Sequence, residues 1–318
     1  MLENYMCENQ MSIFDILNNT FYIDKPIRLI ELFAGVGSQA MALRNIGADF
    51  EHYRVVEFDK YAVASYNAIH GTDFHTMDIT KISGADLGIV EKDKYCYILT
   101  YSFPCTDLSV AGKMLGMTKG SGTRSGLLWE VERLLNEVDK LPQVLLMENV
   151  PQVHSKKNMA DFQKWITFLE NKGYSNFWQD LNAKNYGVAQ NRNRTFMVSL
   201  LGNYQYEFPE QIPLTNTMKD YLEDKVDEKF YINTEKAQQL IDKLIAEGTI
   251  PESRAEQSRA EQSRCVDFTI NKPRFIEVAN CIKARYDAGI SNFQADGSGV
   301  IEKYGKHERN KSSNWKKN

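Results

Sequence analysis

The sequence predicts an α/β fold with a doubly wound, mostly parallel sheet, followed by a smaller region of different texture. Three observations predict it. Short apolar runs alternate with segments of helical period through the first 201 residues. A glycine-rich turn, Gly35-Val36-Gly37, follows the first apolar run and precedes a helix. Finally, 318 residues of 42% hydrophobic content supply a core for one large domain and a smaller companion.

Residues 1–27 read as a short helical lead-in ending near Pro26. Residues 28–33 (RLIELF) form a buried strand bounded by Gly35, and residues 38–46 form a helix closed by Gly47. YRVVEF at 53–58 is a second strand, and 59–69 a helix ended by Gly71. Further strands are expected at 95–100, 144–147 and 195–201, with helices at 125–140 and 162–171. Residues 28–201 thus form one expected domain. Residues 202–300 form a second, rich in Pro, Tyr and acids at 203–232, with an amphipathic helix at 234–247. Residues 301–318 are a basic polar tail with the composition of disorder.

Composition excludes several classes. No run of 18 apolar residues exists, so a membrane span is not expected. The start, MLENYMCENQMSIFDILNN, is acidic and interrupted by polar residues, unlike a secretory signal. Five cysteines without a CxxC pair indicate neither a disulfide framework nor a metal site, and a reducing cytoplasm is the simplest compartment. The net charge of −4 does not by itself announce a nucleic-acid binder.

Ligands of such sheets bind beyond the carboxyl ends of the strands, where five candidate constellations fall. Phe33, Ala34, Gly35 and Gly37 begin a G-x-G-x-x-A turn. Glu57 stands at the second strand end, twenty residues past Gly37, with Phe58 beside it. A carboxylate there suits ribose hydroxyls, in a dinucleotide or in S-adenosylmethionine alike. Asp78 and Ile79, expected at a third strand end, suit an adenine amino group and ring; a turn carboxylate is the plain alternative. Pro104-Cys105 places a lone thiol after a rigid residue, ahead of a glycine-rich loop. Glu148 ends a buried strand, where desolvation favours the protonated acid. Arg192 and Arg194, at i and i+2, are expected on one side before a strand, to grip a phosphate or a carbonyl.

FAGVGS, VVEFD, MDIT, FPCTDLS, GTRSGLLWEV, MENVP and QNRNR together resemble the DNA cytosine-5 methyltransferases, in that family's order and spacing. The resemblance is strong over 28–201 and weaker through 202–232 and around 279–300. It implies a Rossmann-like methyltransferase sheet with S-adenosyl-L-methionine against Phe33, Ala34, Gly35, Gly37 and Pro104. Glu57 would hold its ribose and Asp78 and Ile79 its adenine, with Phe58 also at the cofactor. It further implies a cytosine flipped out of double-stranded DNA. Cys105 would attack C6, Glu148 would bond N3 and the amine, Arg194 would bind O2, and Arg192 would position the site. Thr106 stands where many members have Gln.

The resemblance also sets an expectation for the end of the chain. The family's Arg-x-Leu-Thr-Pro and Gly-Asn motifs are not found, so the target-recognition region reads as incomplete. A second polypeptide supplying them, or a truncated and inactive product, would account for this. The SRAEQ repeat at 253–264 matches a tandem AGCAG run read in triplets, a phase-variable arrangement that scattered synonymous codons would disprove. Three rivals to DNA methylation stand beside it: a tRNA cytosine-5 methyltransferase, a chain that binds cofactor or DNA without turnover, and a dinucleotide dehydrogenase. The last has no use for Cys105 with Glu148.

Overall fold

In a computed structural model, the described residues are 19–108, 115–223, 227, 235–248, 265–267, 274–276, 278–280 and 298–300. The N-terminal lead-in up to residue 18, the repeat at 253–264 and the tail at 301–318 lie outside them. Eleven strands and five helices are described. The strands are β1 (Ile27–Leu32), β2 (Phe50–Val56), β3 (Cys96–Tyr101), β4 (Val144–Asn149), β5 (Tyr174–Asn182), β6 (Gln190–Asn191), β7 (Asn193–Leu201), β8 (Cys265–Asp267), β9 (Arg274–Phe275), β10 (Ala279–Asn280) and β11 (Ser298–Val300). The helices are α1 (Ser38–Asn45), α2 (Lys60–His70), α3 (Leu128–Glu137), α4 (Met159–Asn171) and α5 (Glu235–Ala246).

The chain divides into two compact units: 1–181 with 193–210, and 182–192 with 211–318. The first unit holds a six-stranded sheet in the order β2-β1-β3-β4-β7-β5. β1 runs parallel to β2 and β3, and β3 parallel to β4, whereas β4 and β7 are antiparallel. This is the mixed α/β sheet expected of a Rossmann-like fold. The alternation of side chains explains the two covered faces. Ile30, Leu32, Tyr97, Leu99, Tyr101, Leu145 and Met147 point into one core, with α3 and α4 supplying Leu134, Phe162 and Trp165. Their neighbours Ile27, Leu29, Cys96, Ile98 and Val144 point into the other, with Ala40 of α1 and Val198 and Leu200 of β7.

Local chemistry sets the helix ends. Asp59 caps α2, accepting from the Tyr61 and Ala62 amides at 2.7 and 3.4 Å, and Gly71 closes it at φ 67°. Thr123 accepts the Gly126 amide at 3.1 Å and starts the 3-10 turn that leads into α3. Of the six strands in this sheet, β5 is the one that the sequence pattern did not predict: YSNFWQDLN has no apolar run, and only Tyr174 is buried. It lies at the edge of the sheet, where polar residues are tolerated.

The second unit contains two small sheets, one pairing β6 with β10 and one ordered β11-β8-β9, together with α5.

Candidate active site

β1 delivers the chain into a strained turn. Phe33 has φ 58°, the one non-glycine with positive φ among the described residues, and its amide donates to the Val56 carbonyl at 2.8 Å. A left-handed conformation costs such a residue about 1–2 kcal/mol. Gly35 (φ 56°) and Gly37 (φ 78°) carry the turn on to α1. The two glycines differ in their surroundings. A Cβ on Gly35 would meet nothing within 4 Å, whereas one on Gly37 would lie 2.4 Å from the His70 ring and 2.6 Å from Tyr66. The turn is therefore open at Gly35 and closely backed at Gly37.

Glu57 follows β2 and joins two turns. Its Oε2 accepts the Gly35 amide at 2.9 Å and its Oε1 accepts the Asp59 amide at 2.8 Å. Phe58 beside it is 75% exposed. Asp78 does not follow a strand as expected. Residues 72–78 run without sheet pairing between α2 and β3, and the Met77 amide donates to the Glu57 carbonyl at 2.8 Å. This bond keeps Asp78 near the end of β2. Its carboxylate accepts from the Thr80 hydroxyl and amide at 2.7 and 3.0 Å, which with Lys81 holds its pKa below the ordinary range. Ile79 is buried in the main core.

Beneath the turn, Glu31 of β1 is 1% exposed. It accepts the Tyr66 hydroxyl at 2.5 Å. Burial pushes its carboxyl up to about 7, against the opposing effects of Tyr66 and the Ala40 amide. Burial also holds the His52 imidazole below its usual pKa, helped by His70 and Arg44.

A second group of residues gathers beyond β3 and β4. Phe103 is buried, and its carbonyl accepts the Asn149 side-chain amide at 3.0 Å. The Pro104 carbonyl accepts the Ser125 hydroxyl at 2.7 Å. Half-buried Cys105 packs against the main core and opens a turn, its carbonyl taking the Leu108 amide at 3.0 Å. Asp107, two residues on, accepts the Arg124 amide at 2.7 Å. Gln39 of α1 donates to Ser102 at 3.1 Å, linking this segment to the glycine turn.

Glu148 and Arg194 meet across the antiparallel β4–β7 pair. Arg194 Nε lies 3.0 Å from Glu148 Oε1, with both side chains mostly buried. Arg194 also donates to the Asn193 carbonyl at 2.7 Å. One residue on, Thr195 donates to Asp180 at 2.5 Å, and His154 lies 3.0 Å from the same carboxylate oxygen. Arg194 is thus inside β7 rather than before it, because the strand begins at Asn193; Arg192 belongs to the second unit.

The sequence pattern singled out Cys105, Glu148 and Arg194 but not the residues that hold them: Ser125, Asn149 and Asp107. All three lie inside motifs that carry the family resemblance, Asp107 in FPCTDLS, Ser125 in GTRSGLLWEV and Asn149 in MENVP, but nothing in those strings shows which backbone group each one bonds.

A family model for C-5 cytosine-specific DNA methylases matches residues 27–316. The chain belongs to that family. Among characterised relatives, the type II methyltransferase M2.ScrFI of Lactococcus lactis subsp. cremoris is 34% identical over 272 residues, covering 70% of this chain and 74% of the relative. The orphan methyltransferase M.SssI of Spiroplasma monobiae is 34% identical over 264 residues, covering 66% of this chain and 68% of the relative. Two solved structures resemble the fold of this DNA methylase. The Entamoeba histolytica methyltransferase EhMeth has a TM-score of 0.56 at 18% identity, covering 69% of this chain and 66% of that one. The S. pombe Dnmt2 methyltransferase has a TM-score of 0.51 at 21% identity, covering 67% and 64%. The activity of this DNA methylase is therefore methylation of cytosine C5 in DNA. Among its described residues no helix is long and apolar enough to cross a membrane.

Proposed function

We propose that this methylase acts on a cytosine flipped from double-stranded DNA, with Cys105 as nucleophile and S-adenosyl-L-methionine as cofactor, within a restriction-modification system. The observation that carries the reading is the bond from Asn149 to the Phe103 carbonyl. It ties the segment bearing Cys105 to the strand end bearing Glu148, so that a thiol and a carboxyl serve one site.

The residues of the first half fit an adenosyl cofactor. The open position at Gly35 leaves room for a ligand against the backbone. Each oxygen of Glu57 has two acceptor sites and spends one on a backbone amide, which leaves capacity for the ribose hydroxyls. The exposed Phe58 ring offers a face to adenine. Phe33, Ala34, Gly37, Asp78, Ile79 and Pro104 complete the proposed pocket. When bound, the cofactor supplies an electrophilic methyl group.

The second half activates the base. Cytosine C5 is a poor nucleophile, and addition of a thiolate at C6 makes it enamine-like. The Cys105 sulfur forms the bond to C6, while Glu148 hydrogen-bonds N3 and the exocyclic amine. Arg194 holds Glu148 in place and reaches the base carbonyl; Arg192 is assigned to positioning by motif order. C5 gains the methyl group and loses its proton to a base, and the C6–sulfur bond then breaks to restore the thiolate. A reducing cytoplasm suits this chemistry, because the thiol must remain unoxidised.

DNA carrying 5-fluorocytosine tests the assignment, since fluorine cannot leave as a proton does. A covalent adduct between Cys105 and C6 of the methylated 5-fluorocytosine, with the demethylated cofactor released, is expected by mass spectrometry. Methyl transfer to tRNA without transfer to duplex DNA would overturn the reading.

A further inference from the structure

The floor of the glycine turn is built by α2, which carries none of the residues proposed to act on the base. Tyr66 and His70 stand one helical turn apart, so their rings project on the same side. The ring centroids lie 4.5 Å apart. Both rings fill the space that a side chain at position 37 would take. His70 Nε2 lies 3.1 Å from the Val36 carbonyl, the residue between the two glycines. A carbonyl only accepts, so Nε2 carries the proton and the neutral ring is the Nε2–H tautomer. Tyr66 is fully buried and fixed from behind, donating to Glu31 at 2.5 Å and meeting His52 Nδ1 at 2.6 Å. The His52 ring is 4.8 Å from His70 and completes the cluster.

The consequence is asymmetric. Val36 is itself exposed, and a Cβ on Gly35 would meet nothing within 4 Å. Within the turn the Gly37 amide donates to the Ala34 carbonyl at 3.0 Å, and from outside it Glu57 holds the Gly35 amide and His70 the Val36 carbonyl. We infer that His70, seated on Tyr66, is a positioning residue that preorganises the Gly35–Gly37 turn for the cofactor and so sets cofactor affinity without taking part in the chemistry. This rests on the proposal that the turn binds S-adenosylmethionine.

Calorimetric titration of the full chain with S-adenosylmethionine tests it. His70→Phe keeps a ring and removes the donor, and about tenfold weaker binding is expected, the scale of one lost hydrogen bond. His70→Gln keeps an N–H donor and should stay within about threefold of the parent. In steady-state assays His70→Phe should raise the KM for the cofactor and leave kcat and the KM for DNA unchanged. His70→Leu serves the same measurement should the Phe variant not fold. Equal affinity in the parent and the donor-less variants overturns the inference and leaves the cofactor reading standing. So does a kcat that falls in step with melting temperature. A parent chain that binds no S-adenosylmethionine overturns both.

Discussion

The two halves of the candidate site are built by opposite means. The cofactor half is made of backbone: three residues at positive φ, a carboxylate spent on two main-chain amides, and a floor of rings. The catalytic half is made of side chains on three separate elements, held by hydrogen bonds from Asn149 and Ser125 to carbonyls and by an ion pair between strands. Backbone geometry resists substitution at the position itself. Side-chain scaffolding transmits damage from positions that take no part in the reaction.

The sharpest separation of the halves is Cys105→Ser. Methyl transfer should fall by about 10⁴-fold or more, the scale of losing a nucleophile, while the Kd for S-adenosylmethionine stays unchanged by calorimetry. A variant that lost cofactor binding as well would show that the two halves are not independent.

Glu31 comes next, through pH. Its folded pKa, about 7, lies above the ordinary 4.5, so the native state retains a proton that the unfolded chain releases. Stability from this group is fully present below pH 4.5 and is lost as pH rises towards 7, by about 3 kcal/mol. Glu31→Gln keeps an acceptor for Tyr66 and should remove that slope. Chemical denaturation at pH 5 and pH 8 checks it, and an identical slope in the variant would contradict the assignment.

Asn149→Ala leaves the buried Phe103 carbonyl without its partner and should lower stability by about 2 kcal/mol. A denaturation midpoint gives the stability, and kcat should fall with cofactor Kd held. The smallest effect is expected at Gly35→Ala. No atom obstructs a methyl group there, so only the left-handed backbone opposes it, at about 1 kcal/mol. In the cofactor complex the added methyl also enters the space proposed for the ligand, so affinity measured by titration should weaken further; unchanged affinity would place the ligand away from Gly35.

The halves also differ in how far they can be read from sequence. Phe33, Gly35, Gly37 and Glu57 lie on one β-α-β segment, where strand, turn and helix follow from local pattern. Cys105, Glu148 and Arg194 were each marked by composition at a strand end, yet nothing local pairs Glu148 with Arg194, 46 residues on. β5 left no apolar signature, because an edge strand buries little. Asp78 was placed after a strand that does not form, because residues 72–78 find no neighbour to pair with.

The sequence by itself determined the alternating strands and helices, the glycine turn and the chemical types of the candidate residues, because these depend on interactions between near neighbours. Only the tertiary structure decided that β7 runs antiparallel to β4, which brings Arg194 to Glu148. It alone placed Tyr66 and His70 under Gly37, and Asn149 against Phe103. Those contacts join residues more than 25 positions apart. They are selected by packing and by the need to satisfy buried polar groups, which no local window of sequence contains.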